Sequence, residues 1–277
     1  MKEFNASHVV ITGAASGLGR LASERLAAQG ARVHAVDVDE AGLQALATSV
    51  AGTDAPGSVL PHVCDLTSRA SIAATAAAIL DASGHVDLLI NNAGVVSGKS
   101  LLEISDEQVE RTFAVNTLAL FWMTRALLPA MIRRDSGHIV TIASAGGLVG
   151  TARLTDYCAS KFAAVGFDDS LRLELKRLGS RVRTTVVCPF YINTGMFDGV
   201  KTRFAWLLPI LEPQDVVERI LKAIRRGQRR LVMPPFVMTV YLARLLPLSW
   251  FDGLMHFFGI SRSMDEFVGR QRRANEP

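Results

Sequence analysis

The sequence predicts an α/β fold, a doubly wound parallel sheet with helices on both faces, and three observations carry that prediction. Short β-branched runs alternate with Ala-, Leu- and Arg-rich helical stretches along most of the chain. The runs are apolar at consecutive positions, so both faces of each strand need cover, as in a buried parallel sheet. The first run is followed at once by a glycine-rich turn that opens a helix, the connection from which doubly wound domains start. In chain order, strands are predicted at 8–12, 32–37, 58–63, 86–91, 138–142 and 181–187, each a β-branched or Leu-rich run. A last strand at 231–233 is stopped by the Pro234-Pro235 pair, which cannot donate to a ladder. Helices are predicted near 17–29, 39–49, 68–82, 105–133, 155–178 and 213–226, with the Ala-rich stretch 73–78 reading as a good helix interior.

The chain has 277 residues, of which 49% are hydrophobic, and its mean hydropathy is +0.25. That composition supports a large core and excludes a disordered or collagen-like chain. The net charge of +4 is uneven. Residues 1–218 hold 19 Lys and Arg against 22 Asp and Glu, net −3, whereas 219–277 hold 11 against 4, net +7. The tail is therefore both basic and apolar. Three cysteines, Cys64, Cys158 and Cys188, make no paired disulfide framework and point to a reducing, cytoplasmic setting. No leader pattern precedes the first strand, so residues 1–7 read as a short lead-in. The longest uncharged apolar run of the tail, 231–243, has 13 residues, short of the ~20 that a spanning helix needs.

The turn after the first strand reads Thr12-Gly13-Ala14-Ala15-Ser16-Gly17-Leu18-Gly19. Glycines let the backbone turn tightly and approach a pyrophosphate, whose charge the N–H groups at a helix start stabilise. Asp37 closes the second strand, 18 residues after Gly19, where a carboxylate can accept hydrogen bonds from the adenosine ribose hydroxyls. A 2′-phosphate there would meet like charge, so Asp37 favours NAD over NADP. Arg20 is the counter-argument, because a cation just after the last glycine could pair with that phosphate.

The TGxxxGxG spacing resembles the short-chain dehydrogenase/reductase family, over roughly residues 8–235. Asp65, in Cys64-Asp65-Leu66-Thr67, matches the family's acid that contacts the adenine amine, with Leu66 giving backbone support. Asn91-Asn92-Ala93-Gly94 matches its NNAG segment; the resemblance implies that Asn92 supports the sheet while Ala93 and Gly94 allow close approach to the cofactor.

Tyr157-Cys158-Ala159-Ser160-Lys161 sets a phenol and an ammonium four residues apart, on one face of a predicted helix. A phenol of pKa near 10 is a poor base at pH 7, and a nearby cation shifts it toward the working range. Ser144, 13 residues upstream, can hydrogen-bond a substrate oxygen beside the phenol. Asn116 matches the family's fourth catalytic member, which the resemblance casts as the holder of a water linking Lys161 to solvent. The implied mechanism is hydride transfer between an alcohol carbon and the nicotinamide. Tyr157 removes the hydroxyl proton, Ser144 positions the oxygen, and Lys161 lowers the tyrosine pKa and binds the nicotinamide ribose.

One segment departs from the family. Where PGxVxT is usual, the chain reads Pro189-Phe190-Tyr191-Ile192-Asn193-Thr194. By resemblance Pro189, Ile192 and Thr194 sit at cofactor positions, the last two gripping the nicotinamide carboxamide. Phe190 and Tyr191 either wall an apolar substrate pocket or are plain core. Residues 194–213 are expected to be the loop and helix that cover the active site, and Met196 and Phe197 with their neighbours make that cover apolar. These features resemble the retinol dehydrogenase and 17-beta-hydroxysteroid dehydrogenase subgroup, implying retinoid, steroid or long-chain alcohol substrates.

The organisation expected is a catalytic domain over 1–235 and a basic, apolar extension over 236–277. For that extension, contact with an anionic lipid surface and packing on protein are both open. The family resemblance implies a homo-oligomer, with helices 105–133 and 155–178 as candidate interfaces. No metal is assigned, and no nucleic-acid-binding arrangement is present. The functional expectation is an NAD-dependent oxidoreductase of a hydrophobic alcohol. The alternatives are an NADP-linked carbonyl reductase and a non-catalytic dinucleotide sensor on the same fold.

Overall fold

The computed structural model describes residues 4–269. Residues 1–3 and 270–277 lie outside the described residues, and with them Arg270, Arg272 and Arg273 of the basic tail.

Seven strands form one parallel sheet: β1 His8–Thr12, β2 Arg32–Asp37, β3 Ser58–Val63, β4 Leu88–Asn91, β5 His138–Ile142, β6 Arg183–Pro189 and β7 Arg230–Met233. Their spatial order is β3-β2-β1-β4-β5-β6-β7. Alternate residues feed opposite layers, as the period of two requires. Val9 and Ile11 of β1 face one core layer with Val33, Ala35, Leu88 and Ile90. Val10 faces the other with Val36, Leu89 and Ile139. Both layers are buried, which is why the central strands read as continuous apolar runs.

Helices α1 Gly17–Ala27, α2 Glu40–Ala51 and α7 Pro213–Arg226 cover the first layer, through Leu26, Leu43, Leu46, Val216, Ile220 and Ile224. On the opposite face lie α3 Arg69–Ser83, α4 Asp106–Phe113, α5 Ala119–Arg133 and α6 Thr155–Arg177, contributing Ile72, Ile79, Met123, Leu127, Met131 and Leu171. Local chemistry sets several helix ends. Asp39 accepts from Gly42 N at the start of α2, Ser68 from Ser71 N at α3, and Ser105 with Gln108 makes a capping box at α4. Gly227 ends α7 in the left-handed region at φ 62°.

Several predicted elements shift, three of them instructively. β4 starts at Leu88 rather than at 86. Asp87 still exchanges backbone bonds with His8 and His138, while its carboxylate accepts from His8 N and pairs with Arg134. β6 runs two residues later than predicted because Asp135 holds Arg181, through backbone N and Nε, outside the ladder. The stretch predicted as one helix over 105–133 contains a π-helical turn at Ala114–Leu118 between α4 and α5. The whole stretch Asp106–Arg133 is long and apolar enough to cross a membrane by length and composition, and half of its apolar window is buried in the protein.

Residues 194–212 contain turns and no helix. Beyond β7 come two short helices, α8 Val240–Ala243 and α9 Leu248–Phe257. Val237, Val240 and Ile260 join a core cluster with Leu120, Ala143, Leu148 and Ala164. Arg244 donates to the Leu148 carbonyl at 3.1 and 2.7 Å and stacks over Phe162 of α6. The extension is thus partly built into the domain. Leu242, Leu245, Leu248 and Trp250 remain 69–82% exposed.

Candidate active site

The strand order reverses between β1 and β4, which leaves a crevice outside the carboxyl ends of the strands. A cleft of about 810 Å³ opens there. Of the residues assigned to the catalytic, cofactor and substrate positions from the sequence, all but Gly19 and Asn116 line this cleft.

At one end the glycine-rich turn leads from β1 into α1. Gly13 has φ +67°, and a Cβ on it would come 2.8 Å from the Ala93 Cα, so only glycine lets the turn sit against the segment after β4. That segment is bonded to the turn. Thr12 Oγ1 accepts from Asn92 N and Ala93 N at 3.0 and 3.1 Å, and Asn92 Nδ2 donates to the Thr12 and Gly13 carbonyls at 2.9 and 3.1 Å. Gly19 lies behind the turn rather than in the cleft. A Cβ there would be 2.1 Å from the Gly13 oxygen, so its part is close helix–turn packing.

Ser16, Gly17 and Leu18 line the cleft at the start of α1, whose first turn carries no acidic side chain. An anion placed there meets the positive end of the helix without like charge. Asp37 is half-buried beside it. Its Oδ2 accepts from Ala15 N at 3.0 Å, and its Oδ1 from Val38 N and Asp39 N at 2.8 and 3.1 Å. A carboxylate has about four lone-pair sites, so capacity remains for a hydroxyl donor. Arg20 does not line the cleft and pairs with Glu24 at 3.2 Å. Asp65 and Leu66 line the same end. Thr67 donates twice to Asp65 Oδ1 and holds that carboxyl below the usual carboxylate range. This end suits an adenosine diphosphate: a glycine turn, a helix start and a half-buried acid with an acceptor site to spare.

In the middle, Ser144, Tyr157, Lys161 and Gly94 meet. Ser144 stands just past β5, accepts from Gly146 N at 3.0 Å and hydrogen-bonds the Tyr157 phenol. Lys161 Nζ lies 5.7 Å from the Tyr157 ring centre and donates to the Ile142 carbonyl at 2.9 Å. Both side chains are buried, at 5% and 4% exposed. Burial pulls the Lys161 ammonium down to about 8.

For the phenol the balance differs from the sequence expectation. Burial pushes Tyr157 well above the ordinary phenol range, and the Ser144 hydrogen bond only partly opposes this. Desolvation is the larger effect on the phenol, and the ammonium donates to the Ile142 carbonyl.

Asn116 sits in the π-helical turn, fully buried. Its Oδ1 accepts from Val95 N at 2.8 Å, and its Nδ2 donates to Val95 O at 2.9 Å and Ser160 Oγ at 3.0 Å. Ser160 Oγ in turn donates to the Tyr157 carbonyl at 2.7 Å. A wider turn there lets one side chain tie the segment after β4 to α6. The sequence reading missed a second tie. Asp156, 5% exposed, accepts from Ser97 Oγ at 3.0 Å and Thr112 Oγ1 at 2.8 Å. Its place directly before the tyrosine was the available signal.

At the far end Pro189, Phe190, Tyr191, Ile192, Thr194, Met196 and Phe197 line the cleft. The rings of Tyr157, Phe197, Tyr191 and Phe190 follow one another at centroid distances of 5.6, 5.1 and 4.6 Å, all edge-on. Phe190 and Tyr191 therefore wall the cavity, although Tyr191 is only 8% exposed. Ile260, from the C-terminal segment, also lines it; no local sequence pattern marks that residue.

Comparison with known proteins gives a consistent picture. The family model for short chain dehydrogenases matches residues 7–203. "Short-chain dehydrogenase/reductase family 16C member 6" of Bos taurus is 39% identical over 98% of this chain and 86% of its own length. "Epidermal retinol dehydrogenase 2" of Mus musculus is 39% identical over 96% of this chain and 86% of its own. Among solved structures, a short chain dehydrogenase/reductase from Burkholderia phymatum in complex with NAD superposes with a TM-score of 0.78 at 29% identity, covering 88% of this chain and 95% of that one. A metagenomic short-chain oxidoreductase in complex with NADP gives 0.71 at 29% identity, covering 83% and 98%.

Proposed function

The chain belongs to the short-chain dehydrogenase family of oxidoreductases, and on that premise we propose that it is an NAD-dependent dehydrogenase of hydrophobic alcohols, or a reductase of the matching carbonyls. The observation that carries the proposal is the meeting of Ser144, Tyr157 and Lys161 in one cleft. Asp37 stands at one end of that cleft and an aromatic wall at the other.

The turn around Gly13 and the start of α1 would hold the pyrophosphate, with Asp37 as acceptor for the adenosine ribose and Asp65 for the adenine. NAD, when bound, supplies the hydride acceptor and a positive nicotinamide ring. Tyr157, ionised as the phenolate, takes the alcohol proton at its oxygen. Ser144 keeps its oxygen in place by accepting from Gly146 N and orients the alcohol oxygen against the phenol. Lys161 holds a buried ammonium beside the nicotinamide ribose and favours the phenolate once the phenol gives up its proton. Asn116 and Ser160 fix the distance between α6 and the segment after β4, so Tyr157 and Gly94 keep their spacing.

NAD is favoured over NADP because Asp37 presents negative charge where a 2′-phosphate would lie, and Arg20 is engaged by Glu24. The substrate class follows from the wall of Phe190, Tyr191, Met196 and Phe197, with the mouse relative's retinol name as further support. Lipid contact through the extension is part of the proposal. Leu242, Leu245, Leu248 and Trp250 are exposed together, and no carboxylate lies between Glu218 and Asp252, a stretch holding seven cations. Self-association through α5 and α6 is supported by exposed Phe121 and Leu173, with exposed Leu118 just before α5.

The test is an assay with NAD and NADP over retinol, steroid alcohols and aliphatic alcohols of rising chain length. Activity that grows with apolar bulk is expected. Negligible turnover of every alcohol, and of the matching carbonyls with NADH or NADPH, would leave the sensor reading in its place.

A further inference from the structure

The last described stretch of the chain crosses over the substrate cover and is bonded to it repeatedly. Lys201 N donates to Ser263 O at 3.2 Å, and Val268 N and Gly269 N donate to Asp198 O at 2.9 and 3.2 Å. Lys201 Nζ pairs with Glu266 Oε2 at 2.6 Å. Two glycines make room for this crossing. A Cβ on Gly98 would meet the Phe267 ring at 1.9 Å, and one on Gly199 would meet Glu266 O at 2.0 Å.

The crossing segment also reaches the aromatic wall from behind. Ser263, 3% exposed, donates from Oγ to Ile260 O at 2.9 Å. Its oxygen lies 2.8 Å from the Tyr191 hydroxyl. With the serine proton committed to Ile260, the phenol of Tyr191 is the donor. A buried tyrosine hydroxyl in an apolar wall needs such a partner. Phe267 packs against Phe197, with centroids 6.4 Å apart. Met264, 1% exposed, shares a cluster with Tyr157, Cys158 and Tyr191.

We propose that residues 260–267 are a clasp that fixes the aromatic wall of the substrate chamber, with Ser263 positioning Tyr191 and Phe267 positioning Phe197, so that this segment sets which long or bulky apolar alcohols fit. The inference rests on reading the cleft as the alcohol or carbonyl site. None of the clasp residues donates to or accepts from Ser144, Tyr157 or Lys161, so its influence falls on the shape of the chamber and not on the proton transfer.

The experiment compares Ser263→Ala and Phe267→Leu with the natural protein in two readouts. Amide exchange over residues 190–204, measured without substrate, should quicken in both variants, at Val200 and Lys201 above all. The KM for a twelve-carbon alcohol should rise about tenfold, equivalent to about 1.4 kcal/mol, while kcat and the NADH dissociation constant stay within twofold. In a Tyr191→Phe background, Ser263→Ala should add nothing, because the hydroxyl that it serves is gone. Unchanged exchange, a KM rise equal at all chain lengths, or full additivity with Tyr191→Phe would each overturn the clasp. If the natural protein turns over no alcohol or carbonyl, the site reading falls. Exchange alone then judges the clasp: quickening confined to 190–204 upholds it, and its absence refutes it.

Discussion

Replacing Asp37 with Asn tests the cofactor preference at its source. The carboxylate accepts three backbone N–H groups, from Ala15, Val38 and Asp39, and is half-buried at the cleft. Two unit charges about 4 Å apart interact by ~1 kcal/mol in bulk water and ~4 kcal/mol near a protein surface of effective dielectric ~20. A half-buried site lies between, so repulsion of a 2′-phosphate is worth about 2–3 kcal/mol, or roughly 30- to 150-fold. The substitution removes the charge and keeps one oxygen as an acceptor. It also turns an amide donor toward one of the three N–H groups, a cost that falls on both cofactors alike and cancels in their ratio. The assay is kcat/KM with NAD and with NADP on one alcohol. The natural protein should prefer NAD, and Asp37→Asn should move the ratio toward NADP by about 100-fold. A ratio shifted less than about threefold, or a natural protein that already prefers NADP, would refute the charge argument.

Two further predictions concern stability and the membrane. Asp168, 1% exposed, has Oδ1 without a hydrogen-bond partner among the described residues, and burial pushes its pKa up from 3.8 to about 7. A carboxyl raised on folding contributes most when protonated, and that contribution is lost as pH climbs from ~4 through ~7. Between pH 5 and pH 8 the natural protein should lose about 3 kcal/mol from this group and Asp168→Asn should not, as read from urea midpoints at the two pH values; an equal gap at both would contradict the assignment. In co-sedimentation with vesicles containing anionic lipid, changing Leu242, Leu245, Leu248 and Trp250 together to Ser should abolish recovery in the pellet while leaving the thermal midpoint within a few degrees. Equal recovery of both proteins would remove lipid contact through that face.

Much of the fold was legible because its cause is local. β1 and β5 begin and end where their apolar runs do, since a strand buried on both faces tolerates no other composition, and β2 and the edge strand β3 match their predicted bounds as well. β4 starts two residues late, and β6 slipped by two residues because Asp135 captures the Arg181 backbone, a tertiary event with no periodic signature. The π-helical turn at 114–118 was invisible for the same reason: its logic is the bond from Asn116 to Val95, 21 residues away. Nearly all the candidate site residues converge, because glycine turns and strand ends carry their own spacing. The desolvation of the phenol was not legible, since burial of Tyr157 is a property of the assembled cleft. Ser263 and Phe267 were illegible altogether. They reach the aromatic wall from about 70 residues further along the chain, and the glycines that admit the crossing look like ordinary loop glycines.

The central claim is that Tyr157 moves the proton while the rest of the cleft holds the cofactor. Its most direct test is Tyr157→Phe, with the steady-state rate on the best alcohol and the NADH dissociation constant by fluorescence measured on the same preparation. The rate should fall by roughly 10²- to 10⁴-fold, and the dissociation constant should stay within about threefold, because the glycine turn, Asp37 and Lys161 are untouched. A variant that binds NADH normally and keeps the natural rate would contradict the account.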